Sequence, residues 1–385
     1  MVIDLRKNLL KTPITSPKVK SYFIQNENIT ILKEEVVEYE KRPMSDSIAH
    51  ELIMQAIQID GENIFNNPSK KEEYKNTWFL NHMESETVHH YTSMESFFHI
   101  ISNQTFFATN SLYLNDKEEY NYQIKFFEKA LDKLLKIYDK GSLEERILLK
   151  TKNELWETKL PNSYVICFSA KKNDLNLWQN YGNQGQGVSM CFDRQVLPDC
   201  FHLPIISRWI NYNTEAKEND ICSFTKVILN LYAQLKESVN FENETSYIDW
   251  MKRILLRLAA SSLGASTKNH AFEYEQEYRL LLEDDLFKEP LPLEFMPRKN
   301  KYIIPYVKLN IRTPNQSRPY FYRLQPQNHR TLKCHEIPER LPLKEVMLGP
   351  CIDKQTVQPG ICAFLKSKGY ENVVINCSDL PYRAM

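Results

Sequence analysis

The chain has 385 residues, a hydrophobic fraction of 42% and a charged fraction of 25%, values typical of a globular protein with a substantial core. Its 49 lysines and arginines balance its 49 aspartates and glutamates, which excludes a globally basic surface for nucleic acid and leaves only a local basic groove possible. With 9 glycines and neither a G-x-G-x-x-G motif nor a Walker lysine loop, the sequence disfavours kinases, P-loop NTPases and Rossmann dehydrogenases.

No sorting or membrane-spanning segment is recognisable. Asp4, Arg6 and Lys7 interrupt the start of the chain, and nowhere do about 18 apolar residues follow one another. The 8 cysteines form no C-x-x-C pair, so we expect reduced thiols rather than zinc ligands or disulfides. These features predict a cytoplasmic protein that does not bind membranes.

Residues 1–86 are predicted to form an N-terminal helical extension outside the site. Apolar residues recur at helical spacing over 45–59, after a polar start, and indicate a helix there. Residues 87–385 are predicted to form one α+β domain with a mixed β-sheet core, and a helical insertion is expected near 216–264.

The domain begins with a short strand over 88–91. Thr92 and Glu95 have the spacing of a capping box, which predicts that a helix opens at Thr92. A long helix is predicted over 117–138, and proline clusters indicate loops over 288–305 and 313–342. The other predicted elements are strands at 105–108, 164–168, 187–192, 278–282, 302–309, 343–348 and 373–376, with helices at 174–181 and 355–368.

His90 is the first candidate for a functional residue. It lies at the predicted end of a strand, directly before a helix N-terminus, where free amides and the helix dipole favour an anion such as phosphate. A histidine there can donate a hydrogen bond to a ribose hydroxyl or a phosphate, and Tyr91 and Thr92 add polar groups. The alternative is a histidine that only caps or packs.

Glu275 and Glu277 are the second candidate. On an extended segment, residues two apart point to the same side, so the two carboxylates are expected to share one face and raise each other's pKa. Arg279 continues that face and is expected to neutralise part of the charge. The alternative is an exposed acidic strand edge.

Other polar residues are less specific. Ser169, at the end of a predicted central strand, either braces a carboxylate or satisfies the amides of the next turn. Tyr181 belongs to an aromatic-rich segment, and its ring either packs in the core or stacks on a nicotinamide or a base. Asp116 is best interpreted as a helix cap, with a substrate contact by Asn115-Asp116 as the secondary interpretation. Cys167 has apolar neighbours and is not expected to be a nucleophile.

Taken in order, the polar and aromatic motifs resemble an uncharacterised bacterial domain family over residues 88–383. Gly185 stands where that family often has a histidine. The residues that carry the resemblance are His90-Tyr91-Thr92-Ser93, Asn115-Asp116, Cys167-Phe168-Ser169, Trp178, Tyr181, Gly187, Phe192-Asp193, Glu275, Glu277-Tyr278-Arg279, Gly349-Pro350, Ser378 and Pro381-Tyr382-Arg383.

A second resemblance is to the three motifs of ADP-ribosyltransferases: a His-Tyr-Thr strand end, a central strand ending in an aromatic residue and Ser, and a late Glu-x-Glu. It implies a split-sheet fold, NAD as the cofactor and no metal. By this resemblance His90 contacts the ribose, Ser169 orients a carboxylate, Glu277 is the catalytic glutamate and Glu275 activates the acceptor. Tyr91, Thr92 and Tyr181 are then further NAD-binding candidates.

Three functions stay open at this point. The first is an NAD-dependent ADP-ribosyltransferase, a toxin or anti-phage defence effector whose acceptor is a nucleic acid or a protein. The second is a non-catalytic module that binds a nucleotide. The third is a metal-dependent nuclease that uses Glu275, Glu277, Asp116 and His90, although no lysine accompanies the acidic pair in a recognised nuclease pattern.

Overall fold

We describe a computed structural model of the chain. The predicted helix over 45–59, and all but the last two residues of the predicted N-terminal extension, lie outside the described residues. Those are 85–116, 119–157, 162–203, 205–213, 218–219, 221–223, 225–226, 228–230, 243–260, 268–284, 290–298, 302–312 and 338–383.

In the described part of the chain, ten strands form one mixed sheet. Along its main path the order is β10-β9-β4-β1-β3-β2-β8-β7, while β6 pairs with β3 and with β5. The strands are β1 (Thr87–Thr92), β2 (Thr105–Asn110), β3 (Ser163–Ser169), β4 (Val188–Asp193), β5 (Ile206–Trp209), β6 (Glu277–Glu283), β7 (Leu293–Arg298), β8 (Tyr302–Asn310), β9 (Leu343–Leu348) and β10 (Val374–Cys377).

Six helices accompany these strands in the described part of the chain, besides short 3₁₀ segments and helical residues between 218 and 230. They are α1 (Met94–Asn103), α2 (Glu119–Leu135), α3 (Leu143–Glu154), α4 (Leu175–Asn180), α5 (Glu244–Ala260) and α6 (Lys354–Ser367). None of the described helices is long and apolar enough to cross a membrane. The observed architecture is α+β, as predicted, while its likeness to ADP-ribosyltransferases stays a prediction.

The central strand is β3, because three of the described strands pair with it. It pairs with β6 over its whole length on one edge, and with β1 and β2 at opposite ends of the other. Its apolar run explains this position, since a strand buried on both faces needs few polar side chains. The parallel pairing of β9 with β10 around α6 confirms the predicted βαβ arrangement at the end of the chain.

Apolar side chains are buried in two large clusters. One lies between the sheet and helices α1 and α6 and includes Phe97, Phe168, Tyr278 and Ile361. The other is entirely helical and joins α2 and α3 to α5 and to Ile221, Ile228 and Leu229. The described part of the predicted insertion therefore packs on neighbouring helices rather than on the sheet.

Two predicted boundaries are wrong for identifiable reasons. Helix α1 is capped by Ser93, whose hydroxyl accepts from the amide of Ser96, so the capping box at Thr92 does not form and β1 continues through Thr92. Residues 288–305 were expected to contain loop because of their prolines, yet β7 lies there, while β8 confirms the strand predicted over 302–309. The sheet tolerates Pro297 because β7 is an edge strand, where a proline need not donate to a neighbour.

Several motifs of the family resemblance meet around Gly185. This glycine has φ +79°, and a Cβ atom there would lie 3.0 Å from the Tyr382 ring and 3.1 Å from Pro350. The histidine that the family often has at this point would need both a strained backbone and a displaced C-terminal segment. Glycine is thus matched to the way this chain packs its last residues.

Candidate functional site

A row of polar side chains crosses the sheet. Glu277 on β6 lies opposite Ser169 on β3, and Ser169 lies opposite His89 on β1. The row continues through Cys191 on β4 to Glu345 on β9. Residues directly opposite one another on paired strands project to the same face, so these five side chains share one face of the sheet.

The end of this row at Glu277 is a buried cluster of two carboxylates and two cations. Lys268 Nζ lies 2.5 Å from Glu275 Oε2 and 3.3 Å from Glu277 Oε2. Arg279 donates from Nε to Glu277 Oε1 at 2.8 Å and from Nη2 to Oε2 at 3.1 Å. None of the four residues is more than 4% exposed. With two carboxylates and two cations, the formal charge of this buried cluster is zero.

A tight turn brings Glu275 to this cluster. Glu275 ends a 3₁₀ segment, His270–Glu275, and Gln276 then adopts the left-handed conformation with φ 42° before β6 begins. The expectation of an extended segment with both glutamates on one strand face is therefore wrong. The two carboxylates still converge, because the turn folds Glu275 back towards the ammonium of Lys268.

Ser169 fixes the backbone of this turn. Its hydroxyl donates to the carbonyl oxygen of Glu275 at 2.6 Å and accepts from the amide of Lys171 at 3.0 Å. The expectation that Ser169 orients a carboxylate thus needs correction: it holds the main chain of Glu275, and the side chain of Glu275 is oriented by other groups.

Tyr181 and Asn115 form the solvent-facing rim of the cluster. The hydroxyl of Tyr181, a residue that is 37% exposed, donates to Glu275 Oε1 at 2.7 Å. The Asn115 amide donates to the Tyr181 hydroxyl at 2.5 Å, and its oxygen lies 3.4 Å from Lys268 Nζ. The structure therefore places Asn115 at the cluster, and its contact with a substrate stays a prediction.

Two further residues, Tyr212 and Cys167, form hydrogen bonds with Glu277. The backbone amide of Glu277 donates to the hydroxyl of Tyr212 at 3.0 Å. The thiol of Cys167 also forms a hydrogen bond that lowers the pKa of Glu277. Burial raises the pKa of Cys167 well above its usual value, so the thiol stays protonated and is no nucleophile, as expected from its apolar neighbours.

The charges in the cluster hold Glu277 in its ionised form. Burial raises the pKa of Glu277, but attraction to Arg279 and Lys268 outweighs it and lowers the pKa to about 2. Burial lowers the pKa of Lys268, and attraction to Glu277 and Glu275 more than restores it. The expectation that neighbouring carboxylates raise each other's pKa fails for Glu277, because two cations lie between and beside them.

His90 does not belong to this site. In β1, Val88, His90 and Thr92 face the apolar cluster under α1, on the opposite side of the sheet from Glu277. The His90 ring packs 5.3 Å from Phe106 and 5.4 Å from Phe168, and its Nδ1 donates to the Cys167 carbonyl oxygen at 2.9 Å. Burial lowers the pKa of His90, so the structure gives it the packing role that was the alternative.

Tyr91 and Thr92 are adjacent in β1, so their side chains lie on opposite faces of the sheet. Thr92 shares the face of His90 and is buried. Tyr91 shares the face of Glu277, but its hydroxyl donates to the carbonyl oxygen of Lys171 at 2.9 Å and its ring packs edge-on against Trp178. Of the predicted site residues, the structure brings together Glu275, Glu277, Ser169 and Tyr181.

Sequence reasoning missed His89 and Lys268. His89 lies in the polar row, and burial is the main cause that lowers its pKa to about 4, so its imidazole is neutral near pH 7. Only the exact register of β1 tells His89 from His90, since one residue reverses the face. Lys268 precedes the acidic pair in the chain but matches no motif, so no signal in the sequence marks it.

The described residues contain no group of three or more His, Cys, Asp or Glu side chains placed to hold a metal ion. The two glutamates that the nuclease hypothesis uses accept hydrogen bonds from Lys268 and Arg279. His90, its proposed partner, lies on the other face of the sheet.

Residues 177–280 match the model of a family described as "Protein of unknown function (DUF2971)". The match runs from α4 to β6 and includes Tyr181, Lys268 and the acidic pair. It confirms the predicted resemblance to a domain family of unknown function. No curated protein and no solved structure matches the chain.

Proposed function

We propose that this protein is an ADP-ribosyltransferase that uses NAD. The family whose model matches residues 177–280 is described as one of unknown function. The observation that carries the proposal is the buried acidic pair, in which Glu277 is held ionised by Arg279 and Lys268 next to the partly exposed Tyr181. A fixed carboxylate in a site with little water stabilises a developing positive charge far better than water does.

In the proposed reaction, NAD supplies the ADP-ribosyl group, and the bond between its ribose and its nicotinamide breaks. The electron pair of that bond leaves with the nicotinamide nitrogen, which becomes neutral. Glu277 stabilises the positive charge on the ribose, as a carboxylate does in glycoside chemistry. Glu275 takes the proton of the acceptor, whose nucleophilic atom forms the new bond to the ribose. The acceptor class is a nucleic acid or a protein.

The polar groups around the cluster fit such a ligand. Carboxylate oxygens accept from ribose hydroxyls, and the partly exposed ring of Tyr181 offers a surface for stacking. Lys171 and Lys172 follow Ser169 after Ala170. Their partly exposed ammonium groups, which pair with Asp174 and Glu345, suit phosphate. Because His89 rather than His90 lies on this face, we assign to His89 the ribose contact that the resemblance implies for a histidine.

The arrangement favours this function over a metal-dependent nuclease. A divalent ion would need carboxylate oxygens that are shared with Lys268 and Arg279, and it would have to displace a buried cation to obtain them. The ADP-ribosyltransferase hypothesis needs no such displacement, since a carboxylate oxygen that accepts from Lys268 or Arg279 keeps a second lone pair for a ribose hydroxyl.

The proposal is tested by nicotinamide release from NAD, followed by chromatography, in the protein and in Glu277→Gln. We expect the substitution to lower the turnover rate at least about a hundredfold, because a neutral amide does not stabilise the cationic transition state. Binding of NAD, measured by titration calorimetry, is expected to change much less.

Glu283→Gln is the matched control. Glu283 is a buried carboxylate on the same strand and face, near Arg208 rather than Lys268. We expect this variant to keep its turnover. Equal activity of Glu277→Gln and the unsubstituted protein would refute the proposal, and NAD binding without any turnover in the unsubstituted protein would favour a nucleotide-binding module instead.

A further inference from the structure

We propose that Lys268 is the positioning residue of the acidic pair: its buried ammonium bridges Glu275 and Glu277 and fixes one carboxylate relative to the other. The geometry is that of a bridge, with Nζ 2.5 Å from Glu275 Oε2 and 3.3 Å from Glu277 Oε2. This inference rests on the proposed function, because it explains how the two carboxylates of that site are held in position to act on NAD.

The surroundings of Lys268 hold its ammonium in place. Its side chain is 2% exposed, its Nζ lies 3.4 Å from Asn115 Oδ1, and the same atom lies 4.6 Å from the centre of the Phe272 ring. A lysine is almost never buried without a partner of opposite charge, because desolvation of its charge is costly. The two carboxylates therefore fix the position of the Lys268 ammonium. The ammonium in turn holds the two carboxylates close to each other.

Arg279 has a different place in the cluster. Its guanidinium contacts both oxygens of Glu277 and anchors that carboxylate to β6. Lys268 contacts Glu275 as well as Glu277. Loss of Lys268 would leave Glu277 anchored but would remove the ionic link that ties the turn residue Glu275 to it.

The groups that face Glu277 determine how its titration responds. Glu275 repels the negative charge of Glu277, while Lys268 and Arg279 attract it; Tyr181, Tyr212 and Cys167 are neutral because burial raises the pKa of each. Since the folded-state pKa of Glu277 lies below the usual 4.5, the acid form gains population only as pH falls towards about 2. Removing one cation moves that transition to higher pH.

The first test is titration of the Glu277 carboxyl by ¹³C NMR, with its signal assigned through its loss in Glu277→Gln. We expect Lys268→Met to raise the midpoint by about 1–3 units, the usual effect of one nearby opposite charge. Lys268→Arg keeps the charge and is expected to leave the midpoint near that of the unsubstituted protein. An unchanged midpoint in Lys268→Met would overturn the inference.

The second test is the kinetics of nicotinamide release. We expect Lys268→Met to lower kcat at least about tenfold at pH 7, with a smaller change in KM, and to shift the acid limb of the pH profile upwards. Lys252→Met is the control, because Lys252 also pairs with two carboxylates, those of Glu154 and Asp249, in the helical cluster. It is expected to lower the thermal midpoint and leave the pH profile unchanged.

The two tests separate this inference from the proposed function. If the unsubstituted protein releases no nicotinamide, the proposed function fails, and the NMR midpoint alone decides whether Lys268 positions the pair. If Lys268→Met does not fold, Lys268→Gln, which is uncharged but still donates a hydrogen bond, replaces it in both tests. Kinetics of the folded Lys268 variant that match those of Lys252→Met would overturn the inference.

Discussion

At the scale of single residues, the two adjacent histidines show how little separates a core residue from a site residue. His89 and His90 have the same chemistry and differ by one position in β1, so alternation sends one to each face of the sheet. His90 packs between aromatic rings, while His89 joins the row that ends at Glu277.

The pair of histidines gives a direct prediction. His90→Phe keeps a ring in the apolar cluster but removes the donor to the Cys167 carbonyl oxygen. We expect it to lower the free energy of unfolding by about 1–3 kcal/mol, the cost of an unsatisfied buried polar group. Chemical denaturation measures this loss, and the KM for NAD is expected to stay unchanged.

His89→Phe is the matched variant, and we expect it to weaken NAD turnover more than it weakens the fold. If His90→Phe abolished turnover while the fold remained intact, the assignment of His90 to the core would be wrong. Such a result would also mean that the register of β1 differs from the one described.

Part of the site was predictable from local sequence. Glu275, Glu277 and Arg279 lie close together in the chain, so the sequence itself indicates that their charges interact. Two hydrogen bonds from Arg279 to Glu277 confirm that Arg279 neutralises part of the acidic charge. Lys268 and Asn115 were not predictable as partners of Glu275, because turns and long-range packing bring them there.

At the scale of elements, the turn before β6 positions the site. Gln276 adopts φ 42°, and its amide donates to the carbonyl oxygen of Glu273 at 3.1 Å, which reverses the chain between the two glutamates. The hydroxyl of Ser169 holds the same turn from β3. A change in this turn should therefore move Glu275 without touching any charge.

Substitution of Gln276 tests that statement. A β-branched side chain is strained in the left-handed region, so Gln276→Val is expected to lower the free energy of unfolding by about 1–2 kcal/mol and to reduce turnover. Gln276→Gly adopts the same conformation without strain and is expected to retain turnover. Thermal denaturation and nicotinamide release measure both effects, and full activity of the valine variant would contradict the role given to the turn.

Strands were predictable from the sequence where they form long apolar runs. They were not predictable where they form only because a neighbouring strand offers an edge for pairing. The buried runs of β3 and β6 identify themselves, because few other elements bury such stretches. Strand β7 was missed because its proline indicated a loop, and β5 because four residues give too short a pattern. Both form because β8 and β6 offer free edges for pairing.

At the scale of the whole molecule, the described residues bury their apolar side chains in two large clusters, and the candidate site lies on the sheet that belongs to one of them. The sheet, packed on α1 and α6, carries the polar row, and the helical cluster of α2, α3 and α5 packs separately. The fold class was predictable from alternating strands and helices. The pairing of β3 with β1, β2 and β6 was not, since strand order depends on contacts far apart in the chain.

The central claim is that this acidic site cleaves NAD by fixed charge rather than through a metal ion. Its most direct test is nicotinamide release by the unsubstituted protein, measured side by side in excess EDTA and in Mg²⁺. We predict release at the same rate in both, because Lys268 and Arg279 already balance the carboxylates. Absence of release in both conditions, or release that requires Mg²⁺, would contradict the claim.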